Sequence, residues 1–290
     1  MRGQVPNCAV HTPDSLTGAL EIMAAEKGVW RPMAGGTDLM VPFAAGRLPF
    51  LNFLNLWGLE ELRGLEIAED TITLGALSTY SEIRNHPLIQ REFPNLVQSA
   101  WVTGAIAIQN RGTLGGNIAN GSPAADTPPS LLAYGAEVQL QSIAGSRWVP
   151  YESFHTGYKQ TVMLPEELIT RIRIRRPKGN NFHFFRKVGT RKAQAISKVC
   201  MAAYARVEDG RVAEFRLGMG SVAPVPLRAG TTELLIQGQG IQDLPIAEAK
   251  LALMEDIRPI DDIRSTAKYR RTVAANLLGQ LLEELVERLA

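Results

Sequence analysis

Two short stretches of this chain combine residue types suited to holding a polyanion through the main chain. The first is Met33-Ala34-Gly35-Gly36-Thr37-Asp38-Leu39. The second is Arg111-Gly112-Thr113-Leu114-Gly115-Gly116-Asn117-Ile118-Ala119-Asn120-Gly121-Ser122-Pro123-Ala124-Ala125-Asp126. Glycine has no Cβ, so a ligand can come close to the backbone and positive φ costs little. Successive N–H groups can then converge on an anion. A helix that follows adds its N-terminal amides. Pyrophosphate suits such a cradle best. Alone, the first stretch reads as an ordinary Gly-Gly turn. The second adds amides, hydroxyls and one acid to its glycines, and short polar side chains on permissive backbone suit a buried polar cofactor. The alternative reading is a long structural surface loop.

Other chemistries lack their residues. There is no G-x-x-x-x-G-K-[ST] loop and no G-x-G-x-x-G after a strand. There is no G-x-S-x-G elbow and no H-E-x-x-H. Cys8 and Cys200 are far apart and form no C-x-x-C or Cys/His cluster, which argues against zinc, iron–sulfur ligation by this chain and a disulfide framework. His11, His86, His155 and His183 fall in no motif and read as surface or packed residues. No acid–base dyad stands out.

The formal net charge of +2 offers no broad electrostatic case for nucleic acid. The densest basic stretch runs from Arg171 to Lys178, and its arginines alternate with Ile172 and Ile174. That is a strand with one solvated basic face, or alternatively an anion or partner contact. The N-terminus has no signal-peptide core and no apolar run reaches membrane-spanning length, so a cytoplasmic location is expected.

These stretches need elements to position them. At 290 residues, with 45% apolar and 21% charged residues, the chain suits one large or two to three smaller globular domains. A first helix is expected with Thr12 as cap, Pro13 at its first position and Asp14 at its positive end. Leu16, Ala19, Leu20 and Met23 share a face, and Gly28 suits the stop. Strands are expected at 29–33, 50–56 and 71–75. Thr79-x-x-Glu82 is a capping-box pattern, and a helix is expected over 95–102. The run 109–129 is too rich in Gly, Asn, Ser and Pro to be regular for most of its length.

Turn chemistry at Pro177-Lys178-Gly179-Asn180-Asn181 marks a break. Beyond it, 198–207 and 211–218 read as a hairpin around Asp209-Gly210. Tyr269, Val273, Leu277, Leu281 and Leu285 place a helix over 265–290. The fold class is α+β, with an N-terminal region at 1–177 and a smaller C-terminal α+β domain at 181–290.

The two glycine stretches, taken together, resemble the FAD-binding subunits of the molybdenum hydroxylases, the xanthine dehydrogenase, carbon monoxide dehydrogenase and aldehyde dehydrogenase group. The resemblance spans nearly the whole chain. It includes Pro165-Glu166-Glu167-Leu168-Ile169, Phe185-Arg186-Lys187-Val188-Gly189, Pro259-Ile260-Asp261-Asp262-Ile263-Arg264 and Tyr269-Arg270. It implies a vanillyl-alcohol-oxidase-like FAD region of two subdomains, near 1–57 and 58–177.

By motif position, the amides of Met33, Ala34, Gly35, Gly36 and Thr37 would wrap the pyrophosphate, with Asp38 ending the turn. Thr113, Gly116, Asn117 and Asn120 would line the other side. Asp126 would meet the sugar or adenine end, Ile169 the flavin or its adenine, and Lys187 the isoalloxazine edge. Thr103 stands where xanthine-oxidising members carry a phenylalanine against the ring. The resemblance implies partners: a small subunit with 2Fe-2S clusters and a large subunit with molybdopterin. Electrons would pass from the clusters through FAD to NAD, a quinone or oxygen. A self-standing flavin oxidase or reductase of the same superfamily is the alternative, and a non-catalytic nucleotide-binding scaffold the third reading.

Overall fold

The computed structural model describes residues 7–191 and 194–289. Residues 1–6 of the expected N-terminal region and Ala290 of the expected tail helix lie outside the described residues.

The chain opens with β1 (Ala9–His11), α1 (Leu16–Ala25), β2 (Arg31–Met33), α2 (Met40–Ala44) and β3 (Asn52–Asn55). The three strands form a parallel sheet in the order β1-β3-β2. Helix α1 buries Ala19, Leu20 and Met23 against Leu54, Leu56 and Leu59. Its cap is Ser15, not Thr12: the Ser15 side chain accepts from the Gly18 N–H, and Thr12 instead accepts from the Asn55 amide. A serine next to the helix meets the N3 amide with the shortest reach. Gly28 follows the helix at φ +75°.

A second layer starts with β4 (Leu65–Ile67) and β5 (Thr71–Gly75). Six short helices follow: α3 (Tyr80–Asn85), α4 (Pro87–Glu92), α5 (Pro94–Val102), α6 (Ile106–Gln109), α7 (Leu114–Asn120) and α8 (Pro128–Ala133). Then come β6 (Glu137–Ser142), β7 (Gly145–Pro150), the hairpin β8 (His155–Gly157) and β9 (Gln160–Thr161), and β10 (Leu168–Arg175). The antiparallel sheet has the order β4-β5-β10-β6-β7. Both halves of the Thr79/Glu82 capping box form. On β10, Ile172 and Ile174 are buried, while Arg173 and nearby Arg176 are matched by Glu137 and Glu92.

The run 109–129 is irregular over most of its length, as expected, but α7 makes its centre regular. Thr113 caps this helix through the Gly116 N–H. Gly115 is there for contact: a Cβ on it would lie 2.7 Å from the Ala76 Cβ. Close packing on the end of β5 outweighs the poor helix propensity of two glycines, about 1 kcal/mol each.

The last layer holds β11 (Asn180–Val188), β12 (Val199–Glu208), β13 (Arg211–Gly220) and β14 (Leu227–Arg228), antiparallel in that order. Asp209 and Gly210 both take positive φ, as a two-residue hairpin turn requires. Strand β12 is buried on both faces, which explains its unbroken apolar run. Cys200, Ala202 and Tyr204 join the core under the second layer. Met201, Ala203 and Ala205 join a core with the helices α9 (Gly230–Ile236), α10 (Ile246–Asp256) and α11 (Ala267–Leu289). The buried face of α11 is Arg270, Ala274, Leu278, Leu281, Leu282 and Leu285, and Tyr269 is exposed. A strict four-residue step drifts around a helix of about 3.6 residues per turn, so the expected stripe leaves the core at its N-terminal end.

Candidate cofactor-binding site

The first glycine loop leaves β2 at Met33, whose carbonyl accepts from the Leu56 N–H at 2.9 Å. Gly36 turns the chain at φ +73°. The Gly36 and Asp38 carbonyls then accept from Met40 and Val41, starting α2. Among the described residues, the amides of Ala34, Gly35, Gly36, Thr37 and Asp38 donate to no protein acceptor. Five successive amides are therefore free for a ligand or solvent.

The second loop contributes differently. The leading amides of α7 are spent inside the protein. Leu114 donates to the Ser78 carbonyl and Gly115 to the Ala76 carbonyl, both at 2.9 Å; Gly116 donates to the Thr113 hydroxyl at 3.1 Å and Asn117 to the Thr113 carbonyl at 3.0 Å. The expectation that this helix adds N-terminal amides to the cradle is corrected: Thr113 is its cap, and the helix offers close approach and side chains. The Asn117 Oδ1 is buried without a hydrogen-bond partner. Leaving such an atom unmet costs about 1–3 kcal/mol, so it marks a place for a donor. Asn120 is half-buried at the last position of α7, before Gly121 at φ +60°.

The two loops interlock. A Cβ on Gly35 would sit 1.7 Å from the Arg111 carbonyl oxygen, and one on Gly116 would lie 3.7 Å from the Ala34 Cβ. Residues 33–38 and 113–117, nearly eighty positions apart in the chain, thus form one locus.

Asp126 and Lys187 meet on the wall shared with the last layer. Lys187 Nζ lies 2.5 Å from Asp126 Oδ2 and donates to the Val102 carbonyl at 3.1 Å. The Ser197 hydroxyl donates to Asp126 Oδ1 at 2.5 Å. Both charged side chains are at most a tenth exposed. Burial pushes the Asp126 carboxyl up from its ordinary range, against the pull of Lys187 and Ser197. Asp126 does not cap α8, whose N-cap position is Thr127. Helix α8 is seated directly on β13: a Cβ on Gly218 would lie 2.1 Å from the Pro129 carbonyl oxygen. Thr103, next to Val102, turns its hydroxyl to the Ser99 carbonyl. Ile169 is buried in the core of the second layer, beside an irregularity in the pairing of β10 with β6. Sequence reasoning missed Ser197, which lies in no motif, and Trp57, whose ring meets the Arg111 guanidinium at 3.7 Å.

The profile described as the FAD binding domain in molybdopterin dehydrogenase matches residues 6–177. The chain belongs to this family. A second profile, the CO dehydrogenase flavoprotein C-terminal domain, matches residues 184–285. Within the molybdopterin dehydrogenase flavoproteins, the chain is 28% identical to the xanthine dehydrogenase FAD-binding subunit of Escherichia coli O157:H7 over 280 residues, 95% of each chain. It is 28% identical to the carbon monoxide dehydrogenase medium chain of Afipia carboxidovorans, covering 96% of this chain and 95% of that one. A solved carbon monoxide dehydrogenase from Hydrogenophaga pseudoflava superposes with a TM-score of 0.94 at 25% identity, over 99% of this chain and 100% of that one. The chain is an FAD-binding oxidoreductase subunit of the molybdenum hydroxylase type. No described helix is long and apolar enough to cross a membrane.

The residues present fit FAD. A turn with two adjacent glycines and five unspent amides suits a pyrophosphate, and the unmet Asn117 oxygen suits a ligand donor.

Proposed function

We propose that this chain is the electron-transfer subunit of a molybdenum hydroxylase complex. It would receive electrons from 2Fe-2S clusters on a small subunit, fed by molybdopterin on a large subunit, and deliver them to NAD, a quinone or oxygen. The interlock of the Gly35 turn with Arg111 carries the reading, because it builds one dinucleotide cradle from two distant segments. The names of the relatives support the assembly: they are FAD-binding subunits and medium chains of xanthine and carbon monoxide dehydrogenases.

In this reading the amides of Ala34, Gly35, Gly36 and Thr37 would hold the pyrophosphate, with Asp38 ending the turn; Met33, expected among them, is the last residue of β2 in its pairing with β3 and leads the chain into the turn. Gly116 keeps the opposite wall thin, Thr113 holds Gly116 in place, and Asn117 and Asn120 supply polar side chains. Asp126 and Lys187 form a neutral, buried pair at the far wall, where Lys187 orients the carboxylate toward the ligand's polar end. Ile169 backs that wall with apolar surface. Bound flavin supplies the ability to take electrons singly and release them as a pair. The chain's own task is to bind, orient and shield it, which needs no acid–base dyad.

The test is purification of the complex from its native host. Co-purifying subunits carrying molybdenum and iron, with flavin absorbance that bleaches on adding the large subunit's substrate, are expected. A chain that turns over an organic substrate alone, or whose flavin stays oxidised beside reduced clusters, would contradict the proposal.

A further inference from the structure

Trp57 belongs to none of the motifs above, yet it touches the supports of both loops. It lies two residues beyond β3, the last strand of the parallel sheet in the chain. Its neighbour Leu56 donates its N–H to the carbonyl of Met33, where the first loop begins. Its own N–H donates to the Asn55 Oδ1 at 3.2 Å. The indole ring then carries the Arg111 guanidinium at 3.7 Å from its centroid. Arg111 is the residue whose carbonyl oxygen fits into the space left by Gly35. Arg63 adds a second guanidinium at 4.6 Å from the same ring and donates to the Trp57 carbonyl at 2.8 Å. Among the described residues Arg111 has no ion pair or side-chain hydrogen bond, so the indole is its anchor.

We infer that Trp57 is the positioning residue that couples the two glycine loops, holding Arg111, and with it the second loop, against the first. The inference rests on the FAD reading for its consequence, namely that loosening this stack weakens dinucleotide binding without touching a ligand-facing residue. A guanidinium held on an indole face is attracted by the ring quadrupole as well as by dispersion. The same residue thus has its side chain on the indole and its carbonyl in the Gly35 niche. A phenyl ring preserves the attraction in weaker form, and an aliphatic side chain of similar volume does not.

The experiment uses the full chain, freed of flavin and titrated with FAD by flavin fluorescence. Trp57→Leu should raise the Kd about tenfold, and Trp57→Phe by about threefold or less, given the ranking of ring faces. Arg111→Leu should match Trp57→Leu. The double variant should bind no more weakly than the weaker single, because one contact is lost once. An unchanged Kd in Trp57→Leu, or additive losses in the double variant, would overturn the inference. A purely structural role would lower the melting temperature of the flavin-free chain and leave the Kd in place. Hydrogen exchange of residues 108–117 in the flavin-free chain gives a second readout. Trp57→Leu should speed exchange there, and identical exchange would overturn the coupling. If the wild-type chain takes no FAD, the cofactor reading fails, and the exchange experiment still decides whether Trp57 joins the loops.

Discussion

Replacing Gly35 with alanine probes the interlock with a single methyl group. The new Cβ would lie 1.7 Å from the Arg111 carbonyl oxygen and 2.5 Å from its carbonyl carbon. Ordinary contact needs about 3.5 Å, so the loops must part by about 1.8 Å. Both obstacles are backbone, and no side chain can swing away. Overpacking of this kind costs about 1–3 kcal/mol. Part of it falls on the flavin-free fold. The rest appears as misalignment of the amide cradle and should raise the FAD Kd by at least about tenfold, or ~1.4 kcal/mol. Gly36→Ala is the matched control. Its Cβ meets nothing closer than 3.8 Å, but its φ is +73°, so it suffers left-handed strain of about 1–2 kcal/mol without separating the loops. Urea unfolding of the flavin-free chain and FAD titration of each variant measure the two effects. Gly35→Ala with unchanged stability and a Kd within about twofold of wild type would refute the reasoning, since no loop can yield 1.8 Å freely (~1–3 kcal/mol).

Three further outcomes follow from the same structure. Lys187→Met leaves the Asp126 carboxylate buried without its cation, a loss of about 3–5 kcal/mol when charged. Burial already raises the Asp126 pKa, so the stability of this variant should fall as pH rises through that value and recover at low pH, and adding Asp126→Asn should restore much of it; a pH-independent loss in urea titrations would count against the pair. Glu92 behaves oppositely: the Arg176 hydrogen bond, with Arg91 assisting, lowers its carboxyl to about 2. Its contribution is present above the ordinary value of 4.5 and is lost as pH falls toward about 2, so wild type and Arg176→Met should converge in acid denaturation and diverge at neutral pH. Gly218→Ala would press a methyl to 2.1 Å from the Pro129 carbonyl oxygen and should destabilise the chain by about 1–3 kcal/mol in thermal unfolding, whereas a neutral result would contradict the seating of α8 on β13.

Local signals in the sequence carried much of the fold. The Thr79/Glu82 box, the Asp209-Gly210 turn and the apolar face of α1 are short-range patterns, and each appears where its chemistry places it. Helix α7 was illegible because its stability comes from Ala76, which lies far away in the chain. The paired glycines were legible as a possible cradle, but their division of labour was not. One loop leaves its amides unspent and the other uses them on Ser78, Ala76 and Thr113, a distinction that rests on tertiary hydrogen bonds. Motif resemblance named Asp126 and Lys187 separately, and folding showed that they are partners with Ser197. Trp57 carried no signal at all, since a lone aromatic after a strand usually means core.

Flavin content tests the central claim most directly. The complex containing this chain, isolated from its native host, should release FAD on acid treatment at one molecule per copy of the chain. A complex that holds no flavin, and that neither it nor the isolated chain can be loaded with FAD, would contradict the account.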